Sequence, residues 1–568
     1  MARAYSIVGE PEGQASPFSQ VRVTLTKREH VELLWEARYW KSEHRRAAER
    51  ALNIEAALRK QLRQAAQQAE QREAGWRGEL EAARARIRDL EQRLFGRKSE
   101  RRWVIDDQRR VLGRARRPRG QQRGAPGHGR RRLEHLPVRT EVVELDSPHC
   151  PVCGLPLSRL PGSDECEVIE VEVRAYRRRI RRPRYRRSCD CAEVPGIVSA
   201  APPARLIARG KFGVSVWVSV LLDKFLYGRP SQRLVQDLAD HGVELPLGTL
   251  CGGLQAIAPL FAPLPQVLLG KLRGEPHWHA DETRWEVFAE IDGRRGHRWY
   301  LWVFESRSVV YYVLDESRSS SVPAAVLCGV KRGIISCDRH PAYKKFARLH
   351  PGIGLSFCWA HQRRDLLQLA NDYPQLSAWA MAWVERIGEL FALHAQRREA
   401  PRRGRRYAEL DRRVRSLIAQ MADQREAALA APSLPPAARK VLQSMGAHWT
   451  GLTAFLERPE LPLDNNAAER ALRTPVVGRK NYYGSGSLWS GQLAATMFSV
   501  LMTLRRWQIN PRTWLSAYLQ ACADHGNRAP PQLRCFVPWT MERAQLAAMR
   551  ATLGSAARRH RCVVLDSS

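Results

Sequence analysis

Two acidic residues stand where strands would present them to a common ligand. Asp281 lies within His277-Trp-His-Ala-Asp281-Glu-Thr-Arg-Trp-Glu-Val-Phe, an aromatic and β-branched run that reads as a strand. Asp338 closes Gly333-Ile-Ile-Ser-Cys-Asp338, a short apolar run of the kind found in buried strands. If these strands are neighbours in an α/β sheet, the two carboxylates converge. They could then hold a pair of hard divalent ions, Mg²⁺ or Mn²⁺, about 4 Å apart, which would stabilise the attacking and leaving oxygens of an in-line phosphoryl displacement. Such a site needs a third acid. Glu469 is the candidate, in the first turn of a helix opened by the cap-type residues Asp464, Asn465 and Asn466, with Asp464 as its competitor. Each acid has a plainer reading: Asp281 as a solvated strand residue, Asp338 as a helix cap, Glu469 as a first-turn acid paired with Arg473.

Cysteines suggest a second chemistry. Cys150-Pro-Val-Cys153 and Cys189-Asp-Cys191 flank a β-type stretch and resemble a zinc ribbon, in which four thiolates close a structural Zn²⁺ site. The second pair is one residue short of the usual knuckle, and Cys166 or His149 could substitute. Between the pairs, residues 174–187 hold nine arginines. Arg178, Arg179, Arg181 and Arg182 are expected to meet DNA, as are Arg479 and Lys480, placed to contact phosphates after the Glu469 helix.

Elements must position these groups. Strands are expected at 277–288, 297–304, 308–314, 333–338 and 354–358, with helices at 320–328, 342–349 and 360–371. A three-strand meander followed by alternating helix and strand is the order of an RNase H-like fold. The expected architecture is a multidomain α/β protein. A tail (1–26) leads into a long helix or coiled coil (27–99) and a basic linker (100–140). A zinc-ribbon-like module (141–200) and a helical, helix-turn-helix-like domain (201–272) follow. The catalytic core (273–365 and 456–507) is interrupted by a helical insertion (366–455), and a helical tail (508–568) ends the chain. Leu80, Ile87 and Leu94 recur every seven residues with Ala83 and Leu90 between them, a coiled-coil pattern pointing to a homo-oligomer; a helix folded back on its own domain is the alternative. Helices at 230–241 and from 248, joined through Gly242, have helix-turn-helix spacing, which ordinary helical packing units share. The helix at 492–506 is expected to be apolar on one face and to pack as core.

Composition narrows the partner. Lys and Arg number 93 against 58 Asp and Glu, a net charge of +35. Residues 97–140 alone carry fifteen Arg or Lys against four acids. That surplus calls for a polyanion, and nucleic acid fits it through counterion release. No stretch reads as transmembrane or as a signal peptide, and twelve cysteines in 568 residues are not a disulfide framework. A cytoplasmic, nucleoid-associated protein is expected.

Taken together, His279-Ala-Asp281-Glu-Thr, Ser336-Cys-Asp338-Arg-His-Pro-Ala-Tyr343, Cys358-Trp-Ala-His361-Gln-Arg-Arg364, Asp464-Asn-Asn-Ala-Ala-Glu469-Arg-Ala-Leu-Arg473 and Gly478-Arg-Lys-Asn481 resemble the bacterial transposases of the insertion sequence 66 family. So do Leu94-Phe-Gly-Arg-Lys-Ser-Glu100 and the Gly-Ala-Pro-Gly-His-Gly linker. The resemblance implies a DDE-type DNA transposase with Asp281, Asp338 and Glu469 as its metal-binding acids. It also implies a zinc module on Cys150, Cys153, Cys189 and Cys191. Cys358-Trp-Ala-His361 is similar to a C-x-x-H element of several DDE families, which would set His361 and Arg364 near the scissile phosphate. The implied partners are the element's DNA ends, target DNA and a second copy of the chain, with room for helper proteins from the same element. A nuclease that only cleaves, or a DNA-binding protein that has lost catalysis, are the rival readings.

Overall fold

The computed structural model describes residues 25–94, 138, 140–143, 149, 151–156, 168, 173, 175–186, 197–288, 290 and 298–550. The chain divides into two compact units, Met1–Ser99 and Glu100–Ser568.

The first unit is one helix, Lys27–Leu94. Its start is set by a reciprocal cap. The Glu29 amide donates to Thr26 Oγ1, and the Glu29 carboxylate accepts from the Thr26 amide at 2.9 Å. Ion pairs four residues apart, such as Arg28–Glu32 and Arg77–Glu73, line its surface. Leu58, Leu62, Leu80, Ile87 and Leu90 are all exposed, as are Trp35, Trp40 and Trp76.

In the second unit a two-stranded antiparallel ribbon pairs β1 (Arg184–Arg186) with β2 (Ile197–Ser199). Helices Val214–Phe225, Ser231–Asp240, Leu247–Ile257 and Leu264–Arg273 follow. Next come β3 (His277–Val287), β4 (Arg298–Glu305), β5 (Val310–Asp315), β6 (Gly333–Cys337), β7 (Ile353–Phe357) and the short β8 (Gly484–Ser485). The sheet order is β5-β4-β3-β6-β7, with β8 beside β3. β3, β4 and β5 form an antiparallel meander, while β6 and β7 run parallel to β3. The expected succession of strands is present.

Tryptophans fill the core around this sheet. Trp278, Trp285, Trp302 and Trp359 are each at most 1% exposed. The Trp278 ring lies so close to Gly333 that any Cβ there would run into it, so β6 can approach β3 only with glycine at that position.

The open edge of β5 is closed by a helix rather than a strand. In Leu488–Arg506, Ser499 Oγ accepts from the Tyr312 amide (2.8 Å) and Thr503 Oγ1 accepts from the Val310 amide (3.0 Å). This helix was expected to be apolar on one face and to pack as core. It does pack as core, but on more than one face: Leu493, Ala494, Ala495, Met497, Phe498, Val500, Leu501 and Leu504 are all buried. The reason is that it touches β5 together with helices Val214–Phe225, Leu264–Arg273 and Pro511–Asp524. The segment beyond it, expected as a tail, also enters the core. Trp514, Leu515, Tyr518, Leu519 and Cys522 are buried on Pro511–Asp524, and the Tyr518 hydroxyl donates to the Leu260 carbonyl at 2.6 Å.

Between β7 and the Asn466–Tyr482 helix lie Trp359–Asp372, expected as the helix after the fifth strand, and Ser377–Glu399, Arg405–Ala430 and Pro436–Ala447, in the stretch expected as a helical insertion. Fully buried Arg397 ties it down, donating to Asp411 (2.6 Å), to the Phe455 carbonyl (2.7 Å) and to His394 Nδ1 (3.0 Å). His394 Nε2 in turn meets the Leu461 carbonyl at 2.7 Å. Burial holds His394 neutral, its pKa lowered to about 4.

Candidate active site

The two candidate acids Asp281 and Asp338 belong to the neighbouring parallel strands β3 and β6, one within the strand and one just after it. His279 on β3 lies opposite Ser336 on β6. Two residues on, Asp281 stands within β3 and Asp338 just past the end of β6, beyond the last paired residues of the two strands. β6 and β7 pair Cys337 with Phe357, and Cys358 follows at the start of the next helix. Side chains alternate across a strand, so His277, His279 and Asp281 share one face of β3 and Glu282 points to the other.

The third acid arrives on the Asn466–Tyr482 helix, in whose first turn Glu469 sits. Burial raises the Asp281 carboxyl to about 7, reinforced by the charges of Glu282, Asp338 and Glu469 and opposed by the Glu282 amide, which donates to Asp281 Oδ1 at 2.9 Å. The electrostatics thus register Asp338 and Glu469 as neighbours of Asp281. Asp338 Oδ1 accepts from the His340 amide at 2.9 Å. His361, on Trp359–Asp372, places Nε2 3.9 Å from Glu469 Oε1. Its Nδ1 is buried without a hydrogen-bond partner, and burial, with Arg364 nearby, lowers its pKa.

Three residues of this site were not singled out by the sequence, or were given another role. Asn465, expected to be a cap, makes no capping bond with its side chain. Asp464 caps instead: its Oδ1 accepts from the Asn466 amide (3.2 Å) and its Oδ2 from Asn466 Nδ2 (2.7 Å). Glu282 is buried on the opposite face, its side chain 1% exposed, where it accepts from Arg318 Nε and the Tyr343 hydroxyl, both at 2.7 Å. Arg339 bridges to Asp365 at 2.6 Å and donates to Ser444 and Gln362, fastening the end of β6 to the helical insertion. Paired alternation of strand faces was the available signal for Glu282; nothing local marked Arg339.

The expected DNA contacts fall in different surroundings. Arg364 and Lys480 are exposed. Arg479 is folded onto β3, donating to Thr283 Oγ1 at 3.1 Å and to the Arg284 carbonyl, so its guanidinium fastens helix to sheet. Arg178, Arg179, Arg181 and Arg182 are exposed at the approach to β1, with Arg182 donating to the Ala200 carbonyl at 2.8 Å. Of the expected zinc ligands only Cys153 lies within the described residues, as an exposed free thiol. It sits in a turn whose ends, His149 and Pro156, form a β-bridge. Cys150, Cys189, Cys191 and Cys166 lie outside the described residues.

Among the described residues no three His, Cys, Asp or Glu side chains are gathered tightly enough to grip a metal ion as they stand. The donor chemistry nevertheless suits a hard divalent cation. Asp281, Asp338 and Glu469 are carboxylates, and the charge they place on one another is what a cation would relieve. Among the described residues no single helix is long and apolar enough to cross a membrane.

Comparison with known proteins places the chain in a family. Three proteins of Sinorhizobium fredii are similar over most of their length, each named as uncharacterized. One, y4jD, is 28% identical over 73% of this chain and 82% of its own. A second, y4hP, is 26% identical over 72% and 77%, and a third, y4qI, is 26% identical over 72% and 76%. The family model described as Transposase IS66 family matches residues 209–493, a stretch that contains Asp281, Asp338, His361 and Glu469. The chain therefore belongs to the IS66 family of transposases, proteins that act on DNA.

Proposed function

We propose that the chain is a DDE-type DNA transposase whose RNase H-like core cuts and joins DNA through Asp281, Asp338 and Glu469. The observation that carries this reading is that Asp281, on β3, is buried and feels the charges of Asp338, which follows the neighbouring parallel strand β6, and of Glu469. The meander followed by parallel strands supports the core assignment. Glu469 is preferred to Asp464 because both Asp464 oxygens are committed to Asn466.

In this reading the three carboxylates would hold divalent ions, Mg²⁺ or Mn²⁺. When bound, the ions supply Lewis-acid polarisation of the phosphodiester and neutralise charge at the attacking and leaving oxygens. The residues do the positioning. His361, kept neutral by burial, turns Nε2 toward Glu469 and orients that carboxylate. Water attacks the phosphodiester at the element's end and releases a 3′-hydroxyl. That hydroxyl attacks a phosphodiester of target DNA, displacing a new 3′-hydroxyl there. Neither displacement needs a protein nucleophile, so orientation and electrostatics carry the rate. The exposed arginines preceding β1, together with Lys480 and Arg364, would neutralise backbone phosphates. The Lys27–Leu94 helix, with its row of exposed leucines, would pair with a second copy of itself.

The test is joining rather than cutting alone. Given a pre-cut element end with a free 3′-hydroxyl, a target plasmid and Mg²⁺, the protein should produce covalently joined DNA, and chelation should abolish it. Cleavage of intact ends without joining would instead identify a nuclease.

A further inference from the structure

Asn465 is 1% exposed and carries a side chain with both a donor and an acceptor committed across the site. Its Nδ2 donates to the Ala280 carbonyl at 2.7 Å, on the residue before Asp281. Its Oδ1 meets His279 Nδ1 at 3.0 Å. Because an amide oxygen can only accept, His279 Nδ1 carries the proton. The main chain of Asn465 makes two more connections. Its amide donates to Cys358 Sγ at 3.3 Å, at the start of the helix that bears His361. Its carbonyl accepts from the Glu469 amide at 3.3 Å. A neighbouring bond, Trp359 N–H to the Leu463 carbonyl at 2.8 Å, holds the same seam. One residue thus touches the strand of Asp281, the helix of His361 and the first turn that presents Glu469.

We propose that Asn465 is the positioning residue of the acid site. It fixes the separation between Glu469, carried by the helix, and the strand carboxylates, and this inference rests on the three-acid reading above. The paired ladder of β3 and β6 ends at His279 and Ser336, and at Ala280 the Asn465 amide makes its bond. Only a side chain that donates to a carbonyl and accepts from a ring N–H at once can make both bonds. A primary amide does this; a carboxylate cannot donate to Ala280, and a hydroxyl is too short to span both. His279 is itself steadied by His277, whose ring centroid lies 4.7 Å away and whose Nε2 meets Ser336 Oγ at 2.8 Å. The network therefore reaches β6 two residues before Asp338. Outer-shell groups of this kind orient ligands without touching the ion, and their loss weakens metal binding by about 10–100-fold.

The test titrates Mn²⁺ into the full chain, following free Mn²⁺ by electron paramagnetic resonance, for wild type, Asp281→Ala and Asn465→Ala. Thermal melting and DNA affinity are measured alongside. The expected result is Mn²⁺ binding that Asp281→Ala abolishes and Asn465→Ala weakens by about tenfold or more. The Asn465→Ala protein should retain its DNA affinity and recover strand cleavage at high Mn²⁺. A folded Asn465→Ala protein with the wild-type Mn²⁺ midpoint overturns the inference and leaves the acid site standing. Wild-type protein that binds no Mn²⁺, or binds it regardless of Asp281→Ala, overturns the acid-site reading and the inference with it. If Asn465→Ala does not fold, His279→Ala decides. It leaves the Asn465–Ala280 bond intact and should shift the midpoint the same way; no shift counts against the proposal.

Discussion

At the scale of single residues, adjacent acids on β3 have opposite assignments. Asp281 receives the Glu282 amide, which does not offset burial and the neighbouring acidic charges, so its carboxyl is raised to about 7. Glu282, one residue on, is turned to the far face and is satisfied by Arg318 and Tyr343. The dipeptide shows what sequence conveys at this scale. Asp281 was legible because its strand and that of Asp338 could both be read. The role of Glu282 depends on which long-range partners, 36 and 61 residues away, come to meet it. Asn465 was legible as a residue that precedes a helix, but the capping is done by Asp464, which frees the Asn465 amide for β3. Replacing Glu282 by Gln should destabilise the unit by about 1–3 kcal/mol, because one of the two oxygens that receive Arg318 and Tyr343 becomes an NH2 group and the charge paired with Arg318 is lost. Arg318 is 44% exposed and can turn to water, which keeps the loss toward the lower end. Chemical denaturation measures this, and an unchanged curve would mean that the two contacts contribute nothing net.

At the scale of elements, strand order was legible and edge protection was not. Alternating or continuous apolar runs mark β3 to β7 because strand burial imposes those periods. The Leu488–Arg506 helix hides its function, since Ser499 and Thr503 look like polar interruptions of an apolar helix. Their hydroxyls take the place of a missing strand, accepting from the Tyr312 and Val310 amides and preventing an open edge from pairing with another chain. Ser499→Ala should therefore cost more than an exposed Ser→Ala change, about 1–3 kcal/mol, by stranding the buried Tyr312 amide. Thermal unfolding of the variant beside Ser516→Ala, an exposed control on the next helix, separates the two cases. Equal effects would show that the β5 edge is satisfied without Ser499.

At the scale of the whole molecule, the sheet is held by segments distant in sequence. The Asn466–Tyr482 helix returns across the helical insertion to bring Glu469 to β3, and Pro511–Asp524 packs on Val214–Phe225. The latter was expected to be part of a basic tail, although it holds one Arg and one Asp and the spacing Trp514, Leu515, Tyr518, Leu519, Cys522 is that of a buried helix face. The net charge of +35 belongs to a protein that meets a polyanion, and membership of a transposase family identifies that polyanion as DNA. All else in the account depends on the acids. The most direct measurement is Mg²⁺-dependent strand cleavage of the element's end DNA by wild type and by Asp338→Ala, with DNA binding followed in parallel. Wild type should cleave, the variant should lose at least about a thousandfold, and binding should be unchanged. Cleavage that survives Asp338→Ala would overturn the three-acid site.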